Sequence, residues 1–175
     1  MNYIFLGPQG SGKSTQAKML SESLNIPYIN MGQTFRDKTE DGSEDGKTIK
    51  SALDSGELVP DSIAIRTLNE KLNQENFQKG FILDGYPRNQ AQLEGLQKNI
   101  DKVFYIKVSD EESIKRLSLR ARHDDTEDLL KRRLDIYHGK TEPLLSIFRE
   151  KGILTDINGE RSIEEIHSEL KEMTK

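Results

Sequence analysis

The stretch GPQGSGKS at residues 7–14 decides the fold of this chain. It follows the apolar run YIFL at residues 3–6 and precedes TQAKML at residues 15–20, so it joins a predicted buried strand to a predicted helix. Its glycines let backbone N–H groups turn toward an anion, and the start of the helix adds positive potential. The pattern G-x-x-x-x-G-K-[ST] in this setting predicts a phosphate-binding loop.

The residue types of this loop indicate which phosphate compound it binds. Lys13 is a compact charge suited to the β- and γ-phosphates of a nucleoside triphosphate, and the Ser14 hydroxyl can ligate Mg²⁺. An ordinary glycine-rich turn is the alternative, but it does not account for a lysine in so tight a turn. We therefore expect the triphosphate to be bound by Gly10, Ser11, Gly12, Lys13, Ser14 and Thr15.

Composition narrows the class of protein. The chain has 175 residues, of which 33% are hydrophobic and 32% charged, which is typical of one globular domain. The net charge of -4 argues against a general binder of nucleic acid or of membrane surfaces. The absence of cysteine excludes disulfides and cysteine-ligated zinc. No signal peptide or membrane-length apolar run is visible, so we expect a cytoplasmic protein, and the sequence leaves its oligomeric state open.

Short apolar runs alternate with amphipathic stretches along the chain. The runs at residues 3–6, 28–29, 81–83, 103–106 and 153–154 predict buried strands. The stretches between them predict helices at about 13–24, 31–40, 45–55, 61–75, 89–99, 110–120, 125–150 and 162–173. This alternation predicts an α/β fold of three layers, in which helices cover both faces of a five-stranded parallel sheet.

One region departs from the alternation. Residues 30–60 predict helices only, with glycines at positions 42, 46 and 56. We interpret residues 30–59 as a helical insert that can close as a flap over the sheet's carboxyl edge. The remaining residues, 1–29 and 60–175, then form the core of a single domain that spans residues 1–175.

A second motif, FILDGYPR at residues 81–88, places an acid and an arginine at the end of another strand. Ligands bind at the carboxyl edge of such sheets. Asp84 is therefore placed to hold Mg²⁺ directly or through water, and Arg88 to clamp a second phosphate. Asp84 as a turn cap and Arg88 as a solvated charge are the alternatives, and both are weaker beside a phosphate loop.

These motifs resemble the adenylate kinase family, within the nucleoside monophosphate kinases. The resemblance covers nearly the whole chain. Its parts are Gly7 to Thr15, Gly32 to Arg36, Gly56 to Val59, Asp84 to Arg88 with Gln92, Arg116 to Arg133, and Thr141 to Leu144.

The resemblance implies a binding site for the acceptor monophosphate. Arg36 and Arg88 would hold its phosphate, and Gln92 would read its base. Glutamine at this position is the choice of adenylate kinases, whereas pyrimidine-specific relatives carry asparagine, so AMP is the expected acceptor. UMP and CMP stay open as alternatives, because RNQ at residues 88–90 and Met31 depart from the adenylate pattern. The implied AMP-binding set is Met31, Arg36, Glu57, Leu58, Val59, Gly85, Arg88, Gln92, Arg122 and Arg133.

Segment 115–133 carries seven basic and four acidic side chains. Arg116 and Arg120 are four residues apart, so they lie on one helix face and repel each other unless an anion lies across both. Two solvated arginines are the alternative. The resemblance implies that Arg116 lies against the ATP base and that Arg120, Arg122 and Arg133 surround the transferred phosphate. It also implies that Asp124 and Asp125 position these arginines. N-capping of the helix that begins near Thr126 is the alternative for the two aspartates, and the two roles are compatible.

The chain departs from its relatives between Arg120 and Arg122. Long members of the family insert a lid domain there and short members a loop, whereas this chain has only Ala121. We interpret residues 120–124 as the vestigial junction of a deleted lid. This deletion puts in doubt how well the site excludes water.

The expected function is reversible transfer of the ATP γ-phosphate to AMP, which yields two ADP, with Mg²⁺ as cofactor. Lys13, Arg88, Arg120, Arg122 and Arg133 are the implied catalytic residues, and Ser14 and Asp84 the implied metal site. The partners are then the nucleotides ATP, AMP and ADP. A non-catalytic nucleotide-sensing module is the alternative from another class, although such a module has no use for a second phosphate site.

Overall fold

The computed structural model describes residues 1–120 and 126–174, and of Arg120 only the backbone. Its centre is a parallel sheet of five strands in the order β2-β3-β1-β4-β5. The strands are β1 (Asn2–Leu6), β2 (Tyr28–Asn30), β3 (Phe81–Asp84), β4 (Lys102–Lys107) and β5 (Leu154–Asn158). The fold class is thus confirmed as an α/β, all-parallel sheet.

Both faces of the sheet are buried, as the continuous apolar runs predict. In β1, Ile4 and Leu6 belong to one core cluster, whereas Tyr3 and Phe5 belong to a second cluster. This division follows from the alternation of side chains along a strand. Helices must therefore cover the sheet on two sides, which accounts for the three layers.

Nine α-helices are present in the described part of the chain. They are α1 (Lys13–Leu24), α2 (Met31–Lys38), α3 (Glu44–Asp54), α4 (Asp61–Leu72), α5 (Gln90–Glu94), α6 (Asp110–Arg120), α7 (Glu127–Ile136), α8 (Leu144–Glu150) and α9 (Ile163–Glu172). A 3₁₀ turn at Glu75–Phe77 and a π-helical turn at Tyr137–Thr141 accompany them. Apolar residues of α1 and α9 pack in one core cluster, and those of α4 and α8 in the other.

The region between β2 and α4 contains helices α2 and α3 and no strand. Asn30 caps α2 by accepting a hydrogen bond from the Gln33 N–H, and Ser43 caps α3 in the same way from the Gly46 N–H. Local capping thus starts both helices of the predicted insert. The division of the chain into a core and an insert at residues 30–59 stays a prediction.

Two helix predictions were too long. The predicted helix 89–99 ends at Glu94, and Gly95 is its C-cap. Gly95 packs against α4, where an added Cβ would lie 2.7 Å from Ile65 Cδ1. The predicted helix 125–150 is divided by the π-helical turn. In this turn the Glu142 N–H donates to the Tyr137 carbonyl, and Pro143 has no N–H with which to continue the preceding pattern.

The predicted cap of the helix near residue 126 is also corrected. Thr126 has extended backbone angles and its hydroxyl accepts from the Leu129 N–H, so Thr126 is the N-cap of α7. The predicted capping role of Asp124 and Asp125 is therefore wrong for α7. Their proposed contact with arginines lies outside the described residues.

Candidate active site

A cavity of about 460 Å³ opens at the carboxyl edge of the sheet, a size typical of small-molecule sites. It is lined by most of the residues that the sequence predicts for nucleotide binding: Gly10, Gly12, Lys13, Ser14, Thr15, Arg36, Glu57, Leu58, Val59, Asp84, Gly85, Arg88, Gln92, Arg116 and Arg133. Ser11 and Met31 are instead buried next to the cavity, at 1% and 0% exposure. Arg122 lies outside the described residues, and the Arg120 side chain is not described.

The phosphate loop follows the central strand β1 and ends at the start of α1. Gly10 and Gly12 have φ angles of 80° and 87°, in the left-handed region that favours glycine. A Cβ at Gly10 would also lie 2.6 Å from the Ser113 carbonyl oxygen, so α6 leaves no room for a side chain there. Lys13 Nζ donates to the Pro8 carbonyl oxygen at 3.3 Å, within the same phosphate loop.

The end of β3 meets the start of α1 through Asp84. Asp84 Oδ2 accepts hydrogen bonds from Ser14 Oγ at 2.5 Å, from Tyr28 at 3.1 Å and from Asn30 Nδ2 at 3.0 Å. Burial raises the pKa of the Tyr28 hydroxyl, and the Asp84 charge raises that pKa further. Tyr28 therefore stays a neutral donor at physiological pH and holds the carboxylate in place.

The same carboxylate fits a magnesium site. Asp84 is 2% exposed, and its Oδ1 has no hydrogen-bond partner among the described residues. A buried carboxylate oxygen without a partner is costly, and a hydrated cation can satisfy it. Carboxylate and hydroxyl oxygens are the ligands that Mg²⁺ prefers, so the Asp84 and Ser14 oxygens form a suitable donor set.

A positive cluster occupies the acceptor side of the site. Arg88 is partly buried, and its Nε donates to the Gly85 carbonyl at 3.0 Å. Burial lowers the pKa of Arg88; Asp84 opposes this shift, while Arg133 and Arg36 add to it. Arginines this close to one another are best compensated by an anion with several oxygens, and a phosphate monoester is such an anion.

Gln92 is a residue of α5 that lines the cavity, and it is 3% exposed. Its Oε1 accepts from the Arg88 N–H at 2.9 Å, and its Nε2 donates to Asp61 Oδ1 at 3.0 Å. The carboxamide is therefore held at both ends by the protein. One lone pair and one hydrogen are left for a ligand in the cavity.

Arg116 on α6 extends over the phosphate loop. Its Nε pairs with Glu112 Oε1 at 2.7 Å on the same helix, and its Nη1 lies 3.4 Å from the Ser11 carbonyl. The Glu112 pair holds the guanidinium beside the loop. This position agrees with the ATP-binding role that the resemblance implies for Arg116.

The insert contacts α7 across the mouth of the cavity. Arg132 forms an ion pair with Glu57, and Arg133 Nη2 lies 3.5 Å from the Leu53 carbonyl oxygen. Gly56 packs closely against Leu129, and a Cβ at Gly56 would lie 3.1 Å from Leu129 Cδ2. Residues 53–57 thus contact α7 directly.

Four supporting residues were missed by the sequence analysis: Tyr28, Asn30, Asp61 and Thr141. Tyr28 and Asn30 hold Asp84, Asp61 holds Gln92, and the Thr141 hydroxyl donates to the Arg88 carbonyl at 2.7 Å. Each contact joins positions far apart in sequence. The only local signal is the polar residue at the end of β2, since Asn30 also caps α2.

The phosphate loop, the carboxylate at the end of β3 and the arginine cluster define a P-loop phosphotransferase with two phosphate-binding regions in one cavity. A sequence model described as "Adenylate kinase" matches residues 5–153. An adenylate kinase 1 of Nostoc sp. is 40% identical, covering 96% of this chain and 95% of that protein. An adenylate kinase of Leptospira biflexa is 41% identical, covering 93% and 94% of the two chains. The chain belongs to the adenylate kinase family.

This membership confirms a phosphotransferase that acts between ATP and AMP, and it does not favour the UMP/CMP alternative. An adenylate kinase of Archaeoglobus fulgidus is 38% identical over 209 aligned residues, covering 98% of this chain and 96% of that protein. Because this chain has 175 residues, at least 34 of the aligned positions have no counterpart in it. That difference is consistent with a variant that lacks the lid. Among the described residues, no helix has both the length and the apolar character needed to cross a membrane.

Proposed function

We propose that this cavity binds ATP through the phosphate loop and AMP through the arginine cluster, and that the γ-phosphoryl group passes directly between them. The proposal rests on the observation that Lys13 and Arg88 line one cavity together with Asp84. A module that only senses ATP needs the first phosphate region and not the second. Two phosphate regions in one cavity support a transfer reaction.

The donor side consists of Gly10, Gly12, Lys13, Ser14 and Thr15, with Ser11 behind them and Arg116 toward the ATP base. Backbone N–H groups and the start of α1 hold the phosphates, and Lys13 neutralises the charge that develops on the β–γ bridge. Ser14 and Asp84 would hold Mg²⁺, which neutralises the triphosphate and orients it when bound. The protein thereby presents the γ-phosphorus to the acceptor.

The acceptor side consists of Arg36, Arg88 and Arg133, with Arg120 and Arg122 proposed to join them. Planar guanidinium groups match the equatorial oxygens of a transferred phosphoryl group, so they stabilise its charge in the transition state. The acceptor phosphate is already an anion, and therefore no side chain has to remove a proton. The site acts by orientation and charge neutralisation.

The insert supplies the rest of the acceptor site. Glu57, Leu58 and Val59 line the cavity together with Gln92. We propose that their backbone groups and the Gln92 carboxamide hold adenine, with Met31 packed behind and Gly85 leaving room for the phosphate. Closure of residues 30–59 on α7 would then replace part of the cover that a lid supplies in long relatives. We place the reaction in the cytoplasm, where both nucleotides are available.

The experiment is a coupled assay of ADP formation from MgATP with AMP, CMP, UMP and GMP in parallel. We expect AMP to have the highest kcat/KM, and Arg88→Gln to reduce it by at least about a hundredfold. Arg149→Gln is the matched control, because Arg149 forms only a surface ion pair with Asp156. A higher kcat/KM for CMP or UMP than for AMP would contradict the assignment of AMP as the acceptor. ATP binding without phosphoryl transfer to any acceptor would contradict the proposed kinase activity.

A further inference from the structure

Asp61, the first residue of α4, connects two side chains of the acceptor site. Its Oδ1 accepts hydrogen bonds from Gln92 Nε2 at 3.0 Å and from Asn89 Nδ2 at 2.8 Å. Asp61 follows the insert directly and is partly buried. The phosphate loop and the arginine cluster make no use of this carboxylate, so it needs a separate explanation.

The contacts of Asp61 determine which way the Gln92 carboxamide points. Gln92 Oε1 accepts from the Arg88 N–H at 2.9 Å, so an oxygen is required at that end. Asp61 offers only acceptor oxygens, so a nitrogen is required at the other end. A flipped carboxamide would place two donors together at Arg88 and two acceptors together at Asp61. Both placements leave buried polar groups unpaired, which is costly.

Asn89 holds Asp61 in the position that this arrangement needs. Asn89 Oδ1 accepts from the Gln92 N–H at 2.9 Å and caps α5, so its Nδ2 is the end that meets Asp61. The Asp61 carboxylate thus receives one N–H group from Asn89 and one from Gln92, and the oxygens of these two amides accept from backbone N–H groups. The network has one consistent assignment of donors and acceptors.

We propose that Asp61 is a positioning residue that, together with the Arg88 N–H, sets the donor and acceptor order of Gln92 and thereby makes the site select amino bases over keto bases. The proposal rests on the proposed function, in which Gln92 faces the base of the acceptor nucleotide. The free lone pair on Oε1 matches the N6 amino group of adenine, and the free hydrogen on Nε2 matches N1. Hypoxanthine presents the reverse order, with an acceptor at O6 and a donor at N1.

AMP and IMP are therefore the pair of acceptors that tests the inference, since they have the same ring system and differ in this edge. With Asp61 in place, IMP leaves buried polar groups unpaired and is rejected. In Asp61→Ala, only the Arg88 N–H still favours the wild-type order, so the carboxamide turns more readily to fit either edge. We expect the ratio of kcat/KM for AMP to that for IMP to fall by about tenfold or more.

Asp61→Asn is the conservative control. The Asn oxygen can accept both N–H groups, so we expect this variant to keep the ratio near that of the wild type although it removes the charge. A uniform loss of activity from a disturbed α4 would lower both kcat/KM values and leave the ratio unchanged. Urea unfolding checks the fold, and Asp61→Ser, which suits the start of a helix but is too short to reach Gln92, replaces the Ala variant if that does not fold.

The outcomes separate this inference from the proposed function. If Gln92→Leu lowers the AMP to IMP ratio and Asp61→Ala does not, the positioning role of Asp61 is overturned while base reading by Gln92 stands. The role is likewise overturned if Asp61→Asn loses the ratio as fully as Asp61→Ala. If Gln92→Leu leaves the ratio unchanged, both base reading and positioning are overturned, and AMP phosphorylation by wild type still supports the enzyme.

Discussion

The Ser14 hydroxyl lies 2.5 Å from Asp84 Oδ2, although the two residues are 70 positions apart in the chain. The contact joins the first turn of α1 to the end of β3. Helix α1 follows β1, and β1 and β3 are neighbours in the sheet. It places the proposed donor site and the start of the acceptor turn within one hydrogen bond of each other.

Asp84→Asn removes the charge of the proposed metal site and keeps its shape. The Asn oxygen can still accept from Ser14, Tyr28 and Asn30, so the fold should survive. We expect the Mg²⁺ concentration for half-maximal activity to rise at least about tenfold, since a neutral amide is a weaker ligand for Mg²⁺ than a carboxylate. Titration of activity with Mg²⁺ at fixed ATP measures this, with Asp156→Asn as the exposed control. An unchanged titration curve would remove Asp84 from the metal site.

Lys13→Ala removes the cation that we propose to neutralise charge on the transferred phosphoryl group. We expect kcat to fall by about 10²–10³-fold, because loss of one charge-stabilising donor typically costs that much. The free energy of unfolding should change by less than about 1 kcal/mol, as for other partly exposed positions. Lys18→Ala, an exposed lysine on the same helix, should leave kcat unchanged. Near-normal turnover of the Lys13 variant would end the catalytic interpretation of the loop.

Arg132→Gln removes the ion pair between α7 and Glu57 of the insert. Both side chains are exposed, at 54% and 41%, so the pair contributes at most about 1 kcal/mol. We expect KM for AMP to rise up to about fivefold with kcat nearly unchanged, because we propose that residues 30–59 close on α7 when AMP binds and that this pair stabilises the closed form. Lys131→Gln is the matched control, since Lys131 pairs with Glu127 within α7.

The charge-reversed double variant Glu57→Arg with Arg132→Glu completes this test. It should recover most of the affinity for AMP that each single variant loses, and the recovery should weaken at high salt. Strictly additive effects of the two substitutions would show that the pair does not hold the flap.

His138 should make stability depend on pH. Its Nδ1 meets Glu142 Oε2 at 2.7 Å and its Nε2 meets Asp110 Oδ1 at 2.9 Å. The hydrogen bond to Glu142 raises the pKa of His138 most, Asp110 adds to the increase, and burial opposes it. Because the pKa is raised on folding, the stabilisation is complete below the unfolded value of about 6.5 and is lost as pH rises through the folded pKa.

Urea unfolding of wild type and His138→Gln from pH 6 to pH 9 measures this dependence. The advantage of wild type should be largest at pH 6 and decline toward pH 9. His167→Gln is a control of opposite sign, because burial lowers the pKa of His167, and its contribution is lost as pH falls. A difference between wild type and the His138 variant that is constant with pH would mean that folding does not raise the pKa of His138.

Features set by local pattern were predictable from the sequence. The continuous apolar runs of β1 and β3 and the loop at residues 7–14 require only short-range rules. The end of α5 was not predictable, because the close approach of Ile65 on α4 to Gly95, the C-cap of α5, depends on tertiary packing. The π-helical turn was missed for the same kind of reason, since His138 and Thr141 are engaged by Asp110 and Arg88 from other elements.

The site divides in the same way. Lys13, Asp84 and Arg88 stand in motifs whose spacing indicates their chemistry. Asp61 and Tyr28 have no such motif, and their importance comes only from the side chains that they meet in the fold. Supporting contacts of this kind depend on tertiary packing, which a single sequence does not display.

The most direct test of the account is to follow the label of [γ-³²P]ATP in the presence and absence of AMP. The account predicts that, with AMP and Mg²⁺, the label appears in the β-phosphate of ADP, with two ADP formed for each ATP consumed. Because we interpret residues 120–124 as the junction of a deleted lid, we also expect more labelled inorganic phosphate without AMP than from a long-lid relative in the same conditions. Release of the label as inorganic phosphate at the same rate with and without AMP, and none in ADP, would contradict the account.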